Sequence, residues 1–170
     1  MEQFETFLVE QCAPVLVGLK PGSMFPYRPG QVSLPTLLRH WNGLLAHKGV
    51  RITSVKRCRR TGSYLIYVYR PKQLDQILSQ PETALFLRAY GYDQPEHALQ
   101  LLTRRMSRSE DFPHEVGVFL GYPLADVRGF IENRGCNSLS CGCFFSNTTV
   151  QKLPFFGAQL SLQFNSHIRT

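Results

Sequence analysis

The sequence lacks the features that mark membrane-spanning, secreted and disulfide-stabilised proteins. No run of apolar residues approaches the ~20 residues of a membrane helix. The N-terminal stretch MEQFETFLVEQ begins with acidic residues and has no basic segment of the kind that starts a signal peptide. The five Cys residues are an odd number without the spacing of a disulfide framework, which is typical of a reducing compartment. We therefore expect a cytoplasmic protein with no membrane partner.

Acidic residues are also scarce relative to basic ones. The chain has 12 Asp and Glu against 19 Lys and Arg, which gives a formal net charge of +7. Such a charge favours association with anionic partners, either a small anionic ligand or nucleic acid. The length of 170 residues and the hydrophobic content of 43% suffice for one domain with a buried core.

Apolar residues at helical spacing predict several short helices. Phe4, Phe7, Leu8 and Cys12 share one side of a first helix, which Pro14 is expected to interrupt. The Gly- and Pro-rich segment that follows is predicted to be a structured loop. Further helices are predicted over residues 33–47, 71–78, 82–89 and 95–106.

Two adjoining segments have the composition of β-strands. VRITSVKRC and YLIYVYR flank the turn signal Thr61-Gly62-Ser63 and predict a hairpin, with an irregularity before Val55 where the alternation breaks. Together with the helices, this hairpin predicts an α+β fold in a single domain over residues 1–146. The sheet would be small, largely antiparallel and covered by helices, and residues 147–170 would form a divergent tail.

A tight corner of two helices is predicted over residues 113–133. Pro113 suits the first turn of a helix, Gly121 can end that helix in the left-handed conformation, and Pro123 prevents its continuation. A second helix fits the residues after Pro123. An alternative interpretation makes residues 114–120 a strand, because the valines and the phenylalanine of that segment also suit a sheet.

Three stretches of the chain resemble a bacterial family, the domain of unknown function 3793. They are CAPVLVGLKPGSMF, YLIYVYRPKQL and above all HEVGVFLGYPLADVRGFIENRG, and the resemblance covers about residues 8–143. It implies a one-domain cytosolic protein of anaerobic bacteria, with no established activity and no catalytic residues to carry over. The tail CFFSNTTVQKLPFFGAQLSLQFNSHIRT departs from the basic helix of that family, through either a shifted reading frame or genuine divergence.

Cys12 and His114 form a candidate thiol–imidazole pair. A catalytic thiol needs a base to form thiolate, and that base can be distant in sequence. Glu132 or Asn133 would then orient the imidazole. The order of Cys before His is that of papain-like hydrolases, so a cysteine hydrolase is one alternative function. The structural alternative is a Cys12 that packs in the core as a small hydrophobe and a His114 that begins a helix.

The preferred functional prediction is a ligand-handling protein. Its pocket would join the loop Cys12–Lys20 to the corner at His114, because rigid irregular loops often carry function. Lys20, Arg28 and Tyr122 are the predicted ligand-binding residues. The ligand would be a small molecule or an anion, and no cofactor is predicted.

The turn of the predicted hairpin concentrates positive charge. Lys56, Arg57, Arg59 and Arg60 predict, as an alternative function, a module that binds nucleic acid or another polyanion. In a regular strand Lys56 and Arg57 would face opposite sides, which splits the cluster unless the strand bulges there. The corner over residues 113–133 resembles a helix-turn-helix and offers a second contact. The structural alternative is a solvated turn.

Three further thiols lie close together near the C-terminus. The C-x4-C-x-C spacing of Cys136, Cys141 and Cys143 differs from the paired C-x-x-C of structural zinc sites. A fourth ligand would have to come from Cys58 or from a His. We therefore predict no metal, and interpret these residues as reduced thiols in and beside a short strand near residues 143–145.

Overall fold

The computed structural model describes residues 2–108 and 113–132. In these ranges, seven α-helices surround a three-stranded antiparallel sheet, so the predicted α+β fold is confirmed. The helices are α1 (Glu2–Leu16), α2 (Leu34–Leu45), α3 (Pro71–Leu78), α4 (Pro81–Arg88), α5 (Ala98–Arg108), α6 (Val116–Phe119) and α7 (Leu124–Glu132). The strands are β1 (Gly22–Tyr27), β2 (Arg51–Arg57) and β3 (Tyr64–Tyr69). None of the helices in the described ranges is long and apolar enough to cross a membrane.

The central strand β3 divides the core into two halves. It pairs with β1 on one side and with β2 on the other, antiparallel in both cases. Leu65 and Tyr67 pack into one core cluster with residues of α3 to α7, whereas Ile66 and Val68 pack into a second cluster with residues of α1 and α2. Because successive side chains of a strand point to opposite faces, the sheet is a middle layer between two layers of helices.

Two predictions for the N-terminal segment are wrong. The first helix continues through Pro14 to Leu16, because Pro14 lies in the last turn and removes only one helical hydrogen bond there. The segment predicted as a loop contains β1, which pairs with β3 along its whole length. Pro26 is compatible with β1 because an edge strand can lack one amide donor without leaving a neighbouring strand unpaired.

The predicted irregularity in the hairpin is confirmed. The pairing of β2 with β3 shifts between Ser54 and Lys56, which leaves Val55 as an extra, buried residue in a bulge. After the bulge, Lys56 pairs with Leu65 and Arg57 with Tyr64. The two cations therefore lie on opposite faces of the strand.

The corner is helical, so the strand interpretation of residues 114–120 is wrong. Its first helix, α6, is only four residues long and shorter than expected. Gly121 ends it at φ +79°, and a Cβ there would lie 2.3 Å from Pro21 Cγ. The Tyr67 hydroxyl donates a 2.6 Å hydrogen bond to the carbonyl oxygen of Phe119. These contacts fix the corner against the sheet and against the loop between α1 and β1.

Candidate functional site

The loop between α1 and β1 meets the corner, as the ligand-handling prediction requires. The Nζ atom of Lys20 lies 4.7 Å from the ring centroid of Tyr122. Arg28, in contrast, follows the other end of β1, roughly 17 Å along a six-residue strand. The structure thus brings together two of the three predicted ligand-binding residues and separates the third from them.

Arg70 holds this loop in place. Its guanidinium donates from Nε to the carbonyl oxygen of Val15 at 2.6 Å, from Nη2 to that of Leu16 at 2.7 Å, and from Nη1 to that of Lys48 at 2.9 Å. The first two oxygens belong to the last turn of α1, where carbonyl groups lack helical partners and favour a cation. Gln73 adds a 2.9 Å hydrogen bond from Nε2 to the carbonyl oxygen of Gly18. The loop is therefore rigid where it presents Lys20.

Cys12 lies on the inner side of α1 and is fully buried. Burial raises the pKa of its thiol to about 12, although a hydrogen bond with Ser23 and the charge of Lys20 act in the opposite direction. The thiol is consequently neutral at physiological pH, whereas a nucleophile needs thiolate. This environment argues against a catalytic Cys12.

His114 belongs to the opposite helical layer. It is exposed, and its ring lies edge-on to that of Phe130 with centroids 5.2 Å apart. The helix that follows, α6, packs on the face of the sheet away from Cys12. Asn133 lies outside the described residues. The catalytic triad therefore stays a prediction, and the arrangement of its described members does not favour it.

The basic residues of the hairpin gather at one end of the sheet. Tyr64, at the start of β3, pairs with Tyr27 on one side and with Arg57 on the other. Arg28 follows Tyr27 directly, so it lies at the same end as the turn after Arg57. The exposed cations at this end are Arg28, Arg57, Arg59 and Arg60, and Lys56 is half-buried beside them.

The neighbouring helix α5 carries two further exposed arginines. It packs against β2, and its Leu102 and Met106 share a core cluster with Val55. Arg104 and Arg108 are exposed and lie one helical turn apart, on the side away from that cluster. We define the basic surface as Arg28, Arg57, Arg59 and Arg60 at the end of the sheet, together with Arg104 and Arg108 of α5.

Charge segregation along the chain is a signal that the sequence analysis missed. Between Glu10 and Asp75 the chain contains no Asp or Glu. All three strands and α2 fall within this stretch, so the acidic residues of the described chain belong to α1 and to the segments after β3. The cations in the stretch are Lys20, Arg28, Arg39, Lys48, Arg51, Lys56, Arg57, Arg59, Arg60, Arg70 and Lys72.

A buried ion pair connects the corner to α5. Glu115 is only 1% exposed, and its Oε1 lies 2.8 Å from Arg105 Nε. The Tyr92 hydroxyl donates to the same oxygen at 3.1 Å, and burial raises the pKa of that hydroxyl so that it keeps its proton. Arg105 also donates from Nη1 to the carbonyl oxygen of Tyr90 at 2.9 Å. Nothing in the spacing of the sequence indicated this pairing.

Cys58 begins the turn of the hairpin and is half-buried. A hydrogen bond with the Thr61 side chain is the main cause that lowers the pKa of its thiol, and the charge of Arg60 contributes. Within the described ranges no group of three or more His, Cys, Asp and Glu could hold a metal ion. Cys136, Cys141 and Cys143 lie outside those ranges.

The fold and this surface define a basic α+β domain. Residues 8–152 match the family described as Protein of unknown function (DUF3793), and the chain therefore belongs to that family. The resemblance expected over about residues 8–143 is confirmed, and the match continues into residues 144–152, which the sequence analysis expected to depart from the family. No curated protein and no solved structure matches the chain.

Proposed function

We propose that this protein binds nucleic acid through its basic surface. The observation that carries the proposal is the gathering of exposed arginines around the β2–β3 turn, within a stretch from residue 11 to residue 74 that has no acidic residue. That stretch supplies no carboxylate of its own that would repel a phosphate backbone. A cytoplasmic location, which the odd number of cysteines favours, would be compatible with such a partner.

The surface has the composition expected for contacts with phosphate. All six residues of the basic surface are arginines, and the planar guanidinium group of an arginine can bind two phosphate oxygens at once. Five of the six lie in β2, in the turn after it or in α5. Among the described residues, every Phe, Tyr and Trp is buried or half-buried. Stacking of unpaired bases on exposed rings is therefore not a feature of this part of the chain. We infer binding that depends on the phosphate backbone and varies little with base sequence.

The location of Arg59 and Arg60 in the turn answers the objection raised by strand geometry. Lys56 and Arg57 do face opposite sides after Val55. However, Arg59 and Arg60 lie in the turn itself, beyond the last strand pair, and so are not confined to one face of the sheet. Arg57 is exposed and lies against the ring of Tyr64, with the guanidinium carbon 5.5 Å from the ring centroid.

The salt dependence of binding tests the proposal. Each phosphate contact releases condensed counterions, so the logarithm of affinity for duplex DNA falls with the logarithm of salt concentration by about 0.9 per contact. We expect measurable filter binding to a duplex oligonucleotide at about 50 mM salt and a steep loss at about 200 mM. Replacement of Arg57, Arg59 and Arg60 by Ala should lower the slope by about 2.7, which corresponds to three lost contacts.

Two results would count against the proposal. One is the absence of binding even at low salt. The other is binding by the triple variant with an unchanged slope, which would leave the turn as a solvated structure without a role in recognition. Circular dichroism of the variant should match that of the unmodified protein, because all three side chains are exposed and lie outside the core.

A further inference from the structure

A small pocket lies where α3, α4 and the start of α5 meet. Its volume is about 60 Å³, and its apolar lining comes from Leu78, Ala84, Leu87, Tyr92 and Ala98. All of these except Ala84 are buried members of the core cluster that α3 to α7 share. The floor of the pocket is therefore part of the core, and none of these residues belongs to the basic surface.

The size of the pocket limits what it can hold. An apolar cavity of about 150 Å³ holds a benzene ring, which has six carbon atoms. At the same density of packing, a volume of about 60 Å³ holds roughly two or three carbon atoms. The apolar part of a ligand in this pocket is therefore a short alkyl group and not an aromatic ring.

The backbone around the pocket is fixed by the end of α4. Gly91 has φ +86°, and its N–H donates to the carbonyl oxygen of Arg88 at 2.9 Å, while the N–H of Tyr92 donates to that of Leu87 at 3.1 Å. These two bonds have the pattern of a Schellman motif, which ends a helix in a defined turn. The Tyr92 hydroxyl also donates to the buried Glu115 at 3.1 Å. The pocket is therefore largely pre-formed, so a ligand loses little affinity in ordering it.

Two side chains of opposite charge stand at the rim of the pocket. Arg88 is the last residue of α4 and Asp93 lies two residues after Gly91, and both line the pocket and are exposed. Within the described ranges, no ion pair joins Arg88 to Asp93. A guanidinium group binds a carboxylate, and a carboxylate binds an ammonium group. The rim is therefore complementary to a ligand that carries both charges.

We propose that this pocket binds a small aliphatic α-amino acid. Such a molecule carries an ammonium group, a carboxylate and a short alkyl side chain on one carbon atom. The carboxylate pairs with Arg88, the ammonium group pairs with Asp93, and the alkyl group enters the apolar part of the pocket. Because a ligand of this size makes few contacts, we expect a Kd in the millimolar range.

Titration of the isotopically labelled, full-length protein with L-valine tests the proposal. Two-dimensional NMR measures the Kd from the shifts of the backbone amide signals. We expect saturable shifts for residues 84–98 and none for the β2–β3 turn. Glycine, which lacks the alkyl group, and L-phenylalanine, whose ring exceeds the pocket, should both bind roughly tenfold more weakly than valine.

Two analogues of valine assign its charged groups to the rim residues. Isobutylamine lacks the carboxylate, and isovalerate lacks the ammonium group. In Arg88→Ala the affinity for valine should fall roughly fivefold, whereas that for isobutylamine should not change. In Asp93→Asn the affinity for valine should fall by a similar factor, whereas that for isovalerate should not change.

Glu82→Gln is the matched control, because Glu82 is an exposed residue of the same helix that does not line the pocket. It should bind valine as the unmodified protein does. The proposal would be overturned if valine caused no saturable shift, if glycine and phenylalanine bound as tightly as valine, or if each rim variant weakened valine and both analogues equally. None of these results would affect the nucleic-acid proposal, since Arg88 and Asp93 are not part of the basic surface.

Discussion

Replacement of Arg70 by Lys is a direct test of how the loop between α1 and β1 is held. Arg70 donates three hydrogen bonds of 2.6–2.9 Å to backbone carbonyl oxygens in two segments that are far apart in sequence. A lysine at this position keeps the charge but has a single nitrogen, which cannot reach Val15, Leu16 and Lys48 with the geometry of a guanidinium.

The expected loss of stability follows from these contacts. A hydrogen bond that involves a charged group contributes about 1.5–3 kcal/mol, and a lysine can retain roughly one of the three. Neighbouring bonds are not additive and Arg70 is partly solvated, so we expect Arg70→Lys to lower the free energy of unfolding by about 2–4 kcal/mol. Arg70→Ala should cost at least as much, because it also removes the packing of the side chain beside Gly18.

Urea denaturation followed by circular dichroism measures this loss. The matched control is Lys72→Ala, an exposed cation two residues away, which should change the free energy by no more than about 0.5 kcal/mol. If Arg70→Lys were as stable as the control, the three bonds would not hold the loop, and the rigidity assigned to Lys20 would lose its basis.

Three further predictions concern thiols, glycines and alkaline pH. Iodoacetamide at about pH 7 should alkylate Cys58 faster than a free thiol and leave Cys12 unmodified until the protein unfolds, because the pKa of Cys58 is lowered and that of Cys12 is raised to about 12. Gly121→Ala should destabilise the protein by about 1–3 kcal/mol more than Gly91→Ala, because both positions have positive φ but only at Gly121 does a Cβ meet another residue. The pKa of the Cys12 thiol rises from 9.0 to about 12 on folding, so the folded protein holds this proton more tightly than the unfolded chain does. The free energy of unfolding should therefore keep the full contribution of this thiol below pH 9.0 and lose it between pH 9.0 and about 12. Equal alkylation of both thiols, equal losses for both glycines, or an unchanged denaturation midpoint up to pH 12 would each contradict the corresponding prediction.

Much of the fold could be predicted because the residues that specify it are local. Ser33 accepts a hydrogen bond from the backbone N–H of Thr36 and begins α2, as its type indicates. The break in alternation before Val55 likewise reported the bulge correctly. In both cases the signal and the structure that it specifies lie within a few residues of one another.

The first strand was missed because its own residues do not identify it. GSMFPY contains Gly22 and Pro26 and is poor in β-branched types, so local propensity favours a loop. Its pairing is decided by β3, which is apolar on both faces and needs a partner along each edge. The run of four consecutive apolar residues LIYV at 65–68 was the available signal for a central strand and therefore for a third strand.

The candidate sites were predicted only in part. The loop around Lys20 lies against the corner at Tyr122, but the binding of a ligand by these residues stays a prediction. The sequence could not show that Cys12 is fully buried, because the apolar side of α1 does not reveal which other elements pack against that side. It also could not place Arg28 beside the hairpin turn, because that depends on the pairing of Tyr27 with Tyr64.

Under the proposed function, we expect binding to nucleic acid to depend on the position of the positive charge and not only on its amount. Two double variants distinguish control by the position of the charge from control by its amount. The turn variant combines Arg59→Ala with Arg60→Ala, and the distant variant combines Lys48→Ala with Lys72→Ala at the other end of the sheet. All four side chains are exposed, and each variant removes two positive charges. We predict that the turn variant lowers the salt slope for duplex DNA by about 1.8, whereas the distant variant leaves it nearly unchanged. Equal slopes for the two variants would contradict the account, because they would show that the net charge of the chain, and not the basic surface, controls association.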